Sequence, residues 1–411
     1  MNTERKTSGI VVTGMGICSP IGNSVPVFWN ALCEGRCGIR PLTRLDKDRY
    51  VFRQAGEITD FPAALSGEGP APEPAYRFVR AAAAEALGRA ATDEKVMPDR
   101  FGATGLILAS NFGDTRSMET WLARDRAENH PPVRDAFNPG LQSVADRLAA
   151  QFGLRGPRTV LSLSCASGAA AVAVGAAWIR AGHVSRVLVG GYDAISDFWW
   201  SGLSALRAMS PDTLRPFDLR RKGTIFGEGA AMLLLEEEAV ARRRGANVCA
   251  RMSGSGLTNN AFHMTAPDKE AAGLGRAMKM ALQDAGIRPE TVDHVNCHGT
   301  GTKYNDVTET QAIKSVLGAR AHEIPLTANK SMTSHTMGAA GAMEAVASIM
   351  TLQTGIVPPT INLQEQDPAC DLDVTPHRAA SRPVATVLSN SAGIGGCNAA
   401  LVFQRQEDTN A

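Results

Sequence analysis

The sequence predicts an α/β protein in which helices cover both faces of a sheet. Short buried strands alternate with helices along the chain. Hydrophobic residues make up 44% and charged residues 20%, an ordinary globular balance. Glycine occurs 40 times in 411 residues while aromatic residues make up only 5%, which favours tightly packed layers with constrained turns.

Composition and charge exclude several classes of protein. Lys and Arg number 42 against 41 Asp and Glu, and a net charge of +1 argues against a chain-wide nucleic-acid surface. The N-terminus lacks the apolar stretch of a signal peptide, and no apolar run reaches membrane-spanning length. The eight cysteines are scattered and do not resemble a disulfide framework. We expect a cytoplasmic protein without membrane insertion or a nucleic-acid partner.

The first part of the chain contains strands predicted from short aliphatic runs and helices predicted from apolar spacing or alanine runs. The predicted strands span 10–16, 104–108, 159–164, 186–191 and 231–235. The predicted helices span 28–32, 77–90, 141–152, 166–181 and 236–245. Residues 65–74 are rich in Gly and Pro, and residues 116–132 are charged, so we expect an irregular segment and a surface excursion there.

The second part repeats the same alternation of elements. Helices are predicted at 271–285, 308–317 and 338–352, and strands at 292–296 and 384–388. A duplication of two similar halves is possible, but sequence identity between them is too weak to show it. We expect an N-terminal half at 1–245 and a C-terminal half at 246–411.

Cys165 lies where a predicted strand turns directly into a helix of small residues, in the stretch SLSCASG at 162–168. A thiol at a helix N-terminus lies at the positive end of the helix dipole, which favours the thiolate. The alternative is a buried structural cysteine, the usual environment of this residue. Small neighbours would let a substrate approach closely.

His298 lies in the stretch HVNCHGTGT at 294–302, where a strand ends in a Gly-rich turn with hydroxyl groups. Turns at strand ends are where α/β proteins keep their functional residues. A metal site would pair His294 with His298, but no third ligand stands at suitable spacing, so we predict no metal. The alternative is a surface histidine in a glycine turn.

Two further stretches combine polar groups with small residues. In NKSMTSH at 329–335, followed by a small-residue helix, Lys330 and Glu344 would tune the charge of His335 if all three were buried together. The alternative is a helix cap with a solvated lysine. In NSAGIGGCN at 390–398, a Gly-rich turn exposes backbone N–H groups that suit an oxyanion, although a tight turn between two strands explains it equally.

The order of these motifs is more specific than any one of them. The sequence places Cys165 in a strand-to-helix turn, His298 in HGTGT, His335 in NKSMTSH before GAAG, and a Gly-rich loop near the C-terminus. This series resembles the β-ketoacyl-[acyl-carrier-protein] synthases of the type II kind, in the thiolase superfamily. The resemblance extends from VVTGMGICSPIG at Val11 almost to the C-terminus, and it includes RPFD, GEGA and FHMT.

The resemblance implies a thiolase-like fold of five layers, α-β-α-β-α, made of two similar halves and usually assembled as a homodimer, with a heterodimer possible. It implies an acyltransferase that condenses an acyl group with malonyl-acyl carrier protein, giving 3-oxoacyl-acyl carrier protein and CO2. It also implies that no cofactor is bound, because the carrier protein supplies the phosphopantetheine arm.

The resemblance assigns roles to the motif residues. Cys165 would be the nucleophile, with an oxyanion hole formed by the backbone N–H groups of Cys165 and Ile394. His298 and His335 would donate Nε2–H bonds to the enolate oxygen, and Lys330 would act with Glu344 to hold His335. The remaining assignments lie around these groups: Thr300 and Thr302 on the phosphopantetheine arm, and Asp306 and Glu309 as supporting acids.

Several positions depart from the family pattern. Housekeeping members have NSFGFGGTN in the terminal loop, whereas this chain has Ala392, Ile394 and Cys397 at the two Phe positions and the Thr position. Phe112 stands where a bulky residue often limits the depth of the acyl pocket. These differences predict an altered gate and a restricted or unusual acyl chain.

The surface that would dock the carrier protein also differs. Relatives often place basic residues where this chain has EPAY at 73–76, which leaves Arg134 and Arg207 as candidate contacts with the acidic carrier. We therefore expect a specialised fatty acid, polyene or polyketide pathway, with housekeeping fatty acid elongation as the alternative.

Three related classes remain as rivals. A non-catalytic chain-length partner usually lacks the nucleophile, and Cys165 argues against it. A thiolase proper uses a second catalytic cysteine, but Cys397 takes the Thr position of the Gly-rich loop. An initiating synthase has Asn in place of the second histidine, and His335 argues against that class.

Overall fold

The computed structural model describes residues 9–61, 74–88, 103–128, 141–268 and 270–406. The strands in chain order are β1 Ile10–Cys18, β2 Arg40–Pro41, β3 Gln54–Ala55, β4 Gly105–Ala109, β5 Arg158–Leu161, β6 Arg186–Asp193, β7 Gly229–Glu237, β8 Ala250–Asn259, β9 His294–Asn296, β10 Leu326–Thr327, β11 Ile356–Val357, β12 Ala380–Ser381, β13 Thr386–Ala392 and β14 Cys397–Gln404. The helices are α1 Val25–Cys33, α2 Pro74–Ala86, α3 Thr115–Glu128, α4 Leu141–Phe152, α5 Ser167–Arg180, α6 Asp197–Ala205, α7 Glu238–Arg243, α8 Ala272–Ala285, α9 Asn305–Leu317, α10 Lys330–Thr333 and α11 Ala340–Thr354.

Within these ranges the main sheet has ten strands in the order β10-β9-β13-β14-β8-β1-β7-β6-β4-β5. The five strands of each half have the same order when they are ranked along the chain, namely third, second, fourth, fifth, first. In both halves the fifth strand, β7 or β14, is antiparallel to its two neighbours. In both halves the second strand is parallel to the third and the fourth. The strand topology therefore shows the duplication that the sequence could not.

The helices form three layers around the two halves of the sheet. α2 and α4 pack on the outer face of the first half, and α8 and α9 pack on the outer face of the second. α5 and α11 lie between the two halves and contact strands of both. A short pairing of β1 with β8 joins the two halves into one sheet. The five-layer α-β-α-β-α fold with two similar halves is therefore confirmed.

The small residues of α5 and α11 are needed because these two helices cross at very short distance. A Cβ added at Gly168 in α5 would lie 2.7 Å from the backbone nitrogen of Ala342. A Cβ added at Gly341 in α11 would lie 2.6 Å from the backbone nitrogen of Ala169. Atoms essentially never approach so closely, so larger residues would push the middle layer apart. This contact fixes the two helices whose preceding turns carry Cys165 and His335.

Most predicted elements are present, and the differences have physical causes. The surface excursion predicted at 116–132 is wrong in its first part, because α3 spans Thr115–Glu128. Glu119 of that helix accepts hydrogen bonds from the backbone nitrogens of Asp197 and Phe198, a tertiary contact that the sequence does not show. α6, β8 and β14 were not predicted. The irregular segment predicted at 65–74 lies outside the described residues except for Pro74, which begins α2. None of the described helices has the length and apolar character needed to span a membrane.

Candidate active site

The chain turns sharply at Cys165, between the end of β5 and the start of α5. Ser164 has a φ of 52°, a left-handed conformation that a residue with a side chain keeps only where its surroundings hold it. The carbonyl oxygen of Ser164 accepts hydrogen bonds from Asn111 Nδ2 at 3.1 Å and from Ser167 Oγ at 2.6 Å. Cys165 is only 5% exposed, so the strained turn presents its thiol to an enclosed site.

Two histidines from the second half of the chain lie next to this thiol. His298 follows β9 and His335 follows α10. Cys165 Sγ and one nitrogen of each imidazole all lie within 4.8 Å of one another. The two imidazole centroids are 5.4 Å apart, with the rings almost perpendicular at 88°. Both histidines are 2% exposed, so three side chains that are distant in sequence share one small buried volume.

Hydrogen bonds determine the tautomer of both imidazoles. The Lys330 ammonium group, which can only donate, lies 3.1 Å from His298 Nδ1. The backbone N–H of Met337 donates to His335 Nδ1 at 3.3 Å. Each Nδ1 therefore accepts, and each proton lies on Nε2. His335 Nε2 is buried with no hydrogen-bond partner among the described residues, so its N–H is available to a bound substrate.

Burial determines the charge states of these three groups. Desolvation lowers the pKa of both imidazoles well below 6.5, and the positive charge of Lys330 lowers it further. Desolvation also raises the pKa of Cys165 to about 11, against the opposing effects of Lys330 and of the backbone N–H groups of Ile394 and Cys165. The sequence analysis expected the helix terminus to favour the thiolate. Loss of solvent outweighs that effect, and the resting site holds a thiol beside two neutral imidazoles.

Lys330 contacts a different histidine from the one expected. It forms a buried ion pair with Glu344, and it also donates to the backbone oxygen of His298 at 2.6 Å. The expectation that Lys330 holds His335 therefore needs correction, because its ammonium group donates to the turn after β9. The side chains of Lys330, Glu344 and His335 are nevertheless buried together, and the Lys330 charge lowers the pKa of His335. Burial raises the pKa of Glu344 to about 7, although the Lys330 charge opposes this shift.

Two buried acids in α9 hold the HGTGT turn. Glu309 accepts hydrogen bonds from the backbone nitrogens of His298 at 2.7 Å and Gly299 at 2.8 Å. Asp306 accepts one from the backbone nitrogen of Gly301 at 3.1 Å. Gly299 and Gly301 have φ values of 45° and 72°, which residues with side chains rarely adopt. The carboxylates thus fix a turn that only glycine forms easily.

A cavity of about 380 Å³ opens onto Cys165 and both imidazoles. Thr300, Thr302 and Ile394 line it, together with the exposed residue Arg207. The two threonine hydroxyl groups lie 2.9 Å apart and are hydrogen-bonded to each other. The cavity therefore runs from the protein surface to the thiol, with hydroxyl groups along its length.

The Gly-rich loop packs directly against the nucleophile turn. A Cβ at Gly393 would lie 3.2 Å from the backbone nitrogen of Cys165, so the two backbones are in contact. The backbone N–H groups of Cys165 and Ile394 lower the pKa of the thiol, against the larger effect of burial. Both N–H groups therefore lie beside the thiol that would carry the acyl group.

Phe112 is not among the residues that line this cavity. It stacks on Trp199 at 5.5 Å between centroids, with the rings 16° from parallel. Trp199 meets Phe226 edge-on at 6.3 Å, and Phe226 lies 5.5 Å from the His335 ring. All three aromatic residues belong to the same hydrophobic cluster as Cys165. An aromatic wall therefore closes one side of the thiol.

Other predictions fall outside this site. Arg134 and Glu73 lie outside the described residues, while Ala75 and Tyr76 are buried in α2. The sequence analysis did not single out Asp193, Trp199 or Phe226. A carboxylate at the end of the buried strand 186–193 and the aromatic run at 198–200 were the available signals.

Among the described residues, the side chains of Cys165, His298 and His335 have atoms that lie close enough together to hold a metal ion. His294, which the rejected metal hypothesis paired with His298, instead lies 3.1 Å from the hydroxyl of Thr327. Burial lowers the pKa of His294 to about 3. It is therefore a core histidine and not a ligand of that group.

Comparison with protein families agrees with this geometry. The model for "Beta-ketoacyl synthase, N-terminal domain" matches residues 7–241, and the model for "Beta-ketoacyl synthase, C-terminal domain" matches residues 249–364. The chain belongs to the beta-ketoacyl synthase family. As a beta-ketoacyl synthase it is an acyltransferase, and the resemblance found in the sequence is confirmed.

Relatives of this beta-ketoacyl synthase include 3-oxoacyl-[acyl-carrier-protein] synthases and polyketide ketoacyl synthases. It is 37% identical to a 3-oxoacyl-[acyl-carrier-protein] synthase 2 of Synechocystis sp., over 99% of this chain and 100% of the relative. It is 36% identical to the tetracenomycin polyketide synthase ketoacyl synthase alpha subunit of Streptomyces glaucescens, over the full length of both.

Solved ketosynthase structures align with almost the whole chain. The ishigamide ketosynthase/chain length factor aligns with a TM-score of 0.88 at 34% identity, covering 98% of this beta-ketoacyl synthase and 100% of that chain. A chain from the complex of a type II polyketide synthase acyl-carrier protein with its ketosynthase aligns with a TM-score of 0.87 at 30% identity. The alignment covers 98% of this beta-ketoacyl synthase and 100% of that chain.

Proposed function

We propose that the chain extends an acyl group held on Cys165 by decarboxylative Claisen condensation with malonyl-acyl carrier protein, releasing CO2 and 3-oxoacyl-acyl carrier protein. The observation that carries the proposal is the thiol within 4.8 Å of two imidazole nitrogens, with each imidazole held in its Nε2–H form. This arrangement joins a nucleophile to two neutral hydrogen-bond donors in one buried volume.

In the first step Cys165 attacks the acyl thioester of a carrier protein. A new C–S bond forms, the bond to the phosphopantetheine sulfur breaks, and the cysteine proton leaves with the departing thiol. The backbone N–H groups of Cys165 and Ile394, which lie beside the thiol, donate to the oxyanion of the tetrahedral intermediate. Because the resting group is a thiol, proton removal is part of this step and not completed before it.

In the second step a malonyl thioester enters the same cavity. The bond to its carboxylate breaks and CO2 leaves, so the electron pair forms an enolate on the thioester. His298 and His335 donate their Nε2–H bonds to the enolate oxygen. The carbanion then attacks the acyl carbonyl, the C–S bond to Cys165 breaks, and the thiolate regains a proton.

The carrier protein supplies the phosphopantetheine arm, so the protein needs no cofactor of its own. Thr300 and Thr302 bind the amides of the arm with the hydroxyl groups that line the cavity. Arg207 stands exposed at the cavity and contacts the acidic carrier, and Arg134 is the second predicted contact. Asp306 and Glu309 hold the turn that carries His298, and Lys330, paired with Glu344, donates to the same turn.

The site favours a specialised fatty acid, polyene or polyketide pathway, with housekeeping elongation as the alternative. Ala392 and Ile394 replace the aromatic residues of the housekeeping loop, and Phe112 stacks on Trp199, which belongs to the same hydrophobic cluster as Cys165. A non-catalytic partner role is disfavoured because Cys165 and both histidines are present and meet. A homodimer, a cytoplasmic location and a boundary between halves at 245/246 remain part of this proposal.

The test is mass spectrometry of the purified protein after exposure to a panel of acyl carrier proteins and, separately, to acyl-CoA. We expect an acyl mass on the peptide containing Cys165, delivered by acyl carrier protein, and loss of loading in Cys165→Ala. Normal loading of that variant would remove Cys165 as the nucleophile. Preferential loading from acyl-CoA would favour a thiolase.

A further inference from the structure

A buried carboxylate lies between the turn that carries Cys165 and the turn that carries His335. Asp193 ends β6, is fully buried, and is stabilised by hydrogen bonds without a charge partner among the described residues. Burying a carboxylate without a cation is costly, so its hydrogen bonds have to be numerous and well placed. They connect two separate parts of the active site.

On the nucleophile side, Asp193 Oδ1 accepts hydrogen bonds from Ser110 Oγ at 2.6 Å, Asn111 N at 3.2 Å and Phe112 N at 3.1 Å. The Asn111 side chain in turn donates to the carbonyl oxygen of Ser164. Ser164 is the strained residue directly before the nucleophile. The first oxygen of Asp193 therefore holds the loop that supports the nucleophile turn.

On the histidine side, Asp193 Oδ2 accepts a short hydrogen bond from Gly338 N at 2.7 Å, while Asn111 N at 3.3 Å and Asn111 Nδ2 at 3.5 Å make longer bonds to the same oxygen. The preceding residue, Met337, also has a left-handed φ of 52°, and its N–H donates to His335 Nδ1. A Cβ at Gly338 would lie 2.8 Å from Asp193 Oδ2, so the two groups are in direct contact. The second oxygen therefore holds the turn that sets the tautomer of His335.

We propose that Asp193 is a positioning residue that holds the Cys165 turn and the His335 turn in one fixed relation. The inference rests on the proposed condensation. Both turns contain a residue in a strained conformation, and such strain persists only where surrounding bonds determine it. A carboxylate serves this role because both of its oxygens accept, so that donors from two loops meet on one group.

Asp193→Asn tests the proposal with almost no change in shape. Whichever way the amide turns, its NH2 group faces either Gly338 N–H or the donors of the Ser110 loop, so one turn loses its acceptor. We expect the maximal rates of Cys165 acylation and of CO2 release each to fall by about tenfold or more, because small displacements of reacting groups are costly. KM for the carrier proteins should stay unchanged, since their contacts lie elsewhere in the cavity.

Glu85→Gln is the matched control. Glu85 of α2 also accepts backbone N–H bonds on both oxygens, one from Ile17 at 3.0 Å and one from Val25 at 2.8 Å, but it lies in the outer helix layer. Because Glu85 is half-buried and accepts fewer hydrogen bonds than Asp193, Glu85→Gln should lower the melting temperature less and leave both rates unchanged. The rates are compared at a temperature where both variants are fully folded, and equal rates there would overturn the proposal.

Ser110→Ala keeps the test decisive if Asp193→Asn does not fold. This variant removes the bond from Ser110 Oγ to Asp193 Oδ1 and the bond that Ser110 Oγ accepts from Gly113 N, both within the loop on the nucleophile side. We expect slower acylation of Cys165 with little change in CO2 release from malonyl-carrier protein by the preloaded enzyme. Wild-type acylation in Ser110→Ala would overturn the proposal. If the wild-type protein itself neither loads an acyl group nor releases CO2, the proposed function fails and not this inference alone.

Discussion

Replacing His335 with alanine removes one of the two Nε2–H donors that the structure directs into the site. Removing one donor from an oxyanion site lowers kcat by about 10²–10³, or about 2.7–4 kcal/mol. His335 Nε2 is buried without a partner in the described part of the chain. A water molecule could enter the space left by the ring and replace part of the bond. We therefore expect a loss near the lower end, about a hundredfold in CO2 release.

The assay separates the two half-reactions. Acylation of Cys165 is followed by intact mass after rapid quenching, and CO2 release is followed with malonyl-carrier protein labelled in its free carboxyl group. Acylation of Cys165 should change little in His335→Ala, because the oxyanion of the acylation step is bound by the backbone N–H groups of Cys165 and Ile394. His335→Asn keeps a side-chain N–H donor and should retain part of the CO2 release. The enolate role of His335 is refuted if acylation falls as far as CO2 release, or if CO2 release is unchanged, in a variant with a normal melting temperature.

Three further predictions concern the thiol and its aromatic wall. Because the pKa of Cys165 is about 11, alkylation of its thiol by iodoacetamide should be slow at pH 7. The alkylation rate should rise about tenfold per pH unit until the pH approaches that pKa. A plateau of the rate below pH 9 would contradict the buried thiol. Phe112→Ala should lower the free energy of unfolding by about 2–3 kcal/mol, because the Phe112 ring is only partly buried. The variant should also accept longer acyl chains, which mass spectrometry would detect on Cys165. An unchanged range of chain lengths would mean that Phe112 does not limit the acyl chain. Zn2+ should bind the thiol and the two imidazoles only weakly, because both Nδ1 atoms accept N–H bonds and both Nε2 atoms carry protons; zinc inhibition that chelation reverses and that requires Cys165 would contradict these tautomers.

The parts of the site that the sequence predicts correctly are those that depend only on the order of neighbouring residues. A strand that ends in a cysteine before a small-residue helix, and a histidine in a glycine turn, are visible within a few residues. The histidine that Lys330 contacts and the role of desolvation at Cys165 depend on contacts between distant segments, and both differ from expectation. The helix terminus is a local feature, whereas the burial that raises the pKa of the thiol comes from several elements packed together.

The missed strand β8 shows how close packing can hide a strand in the sequence. Its residues alternate between buried and half-buried positions, as expected for a strand, but Gly254 and Gly256 weaken its strand propensity. A Cβ at these positions would lie 2.2 Å from the carbonyl oxygen of Ala281 and 2.0 Å from that of Ala277 in α8. The two glycines let α8 approach β8 closely. From the sequence alone, glycines at these positions indicate a loop as readily as a strand packed against a helix.

The duplication explains why the reacting groups come from both halves. The turn after the third strand of the first half carries Cys165 and leads into α5, and the chain after the third strand of the second half carries His335 and leads into α11. The second strands, β4 and β9, lead into Asn111 and His298, and the fourth strands, β6 and β13, end at Asp193 and at the Gly-rich loop. Equivalent ends of equivalent strands therefore face one another across the α5–α11 contact. One half supplies the nucleophile turn and the bonds that hold it, and the other supplies the two imidazole donors, so the complete constellation requires both halves in contact through the middle layer.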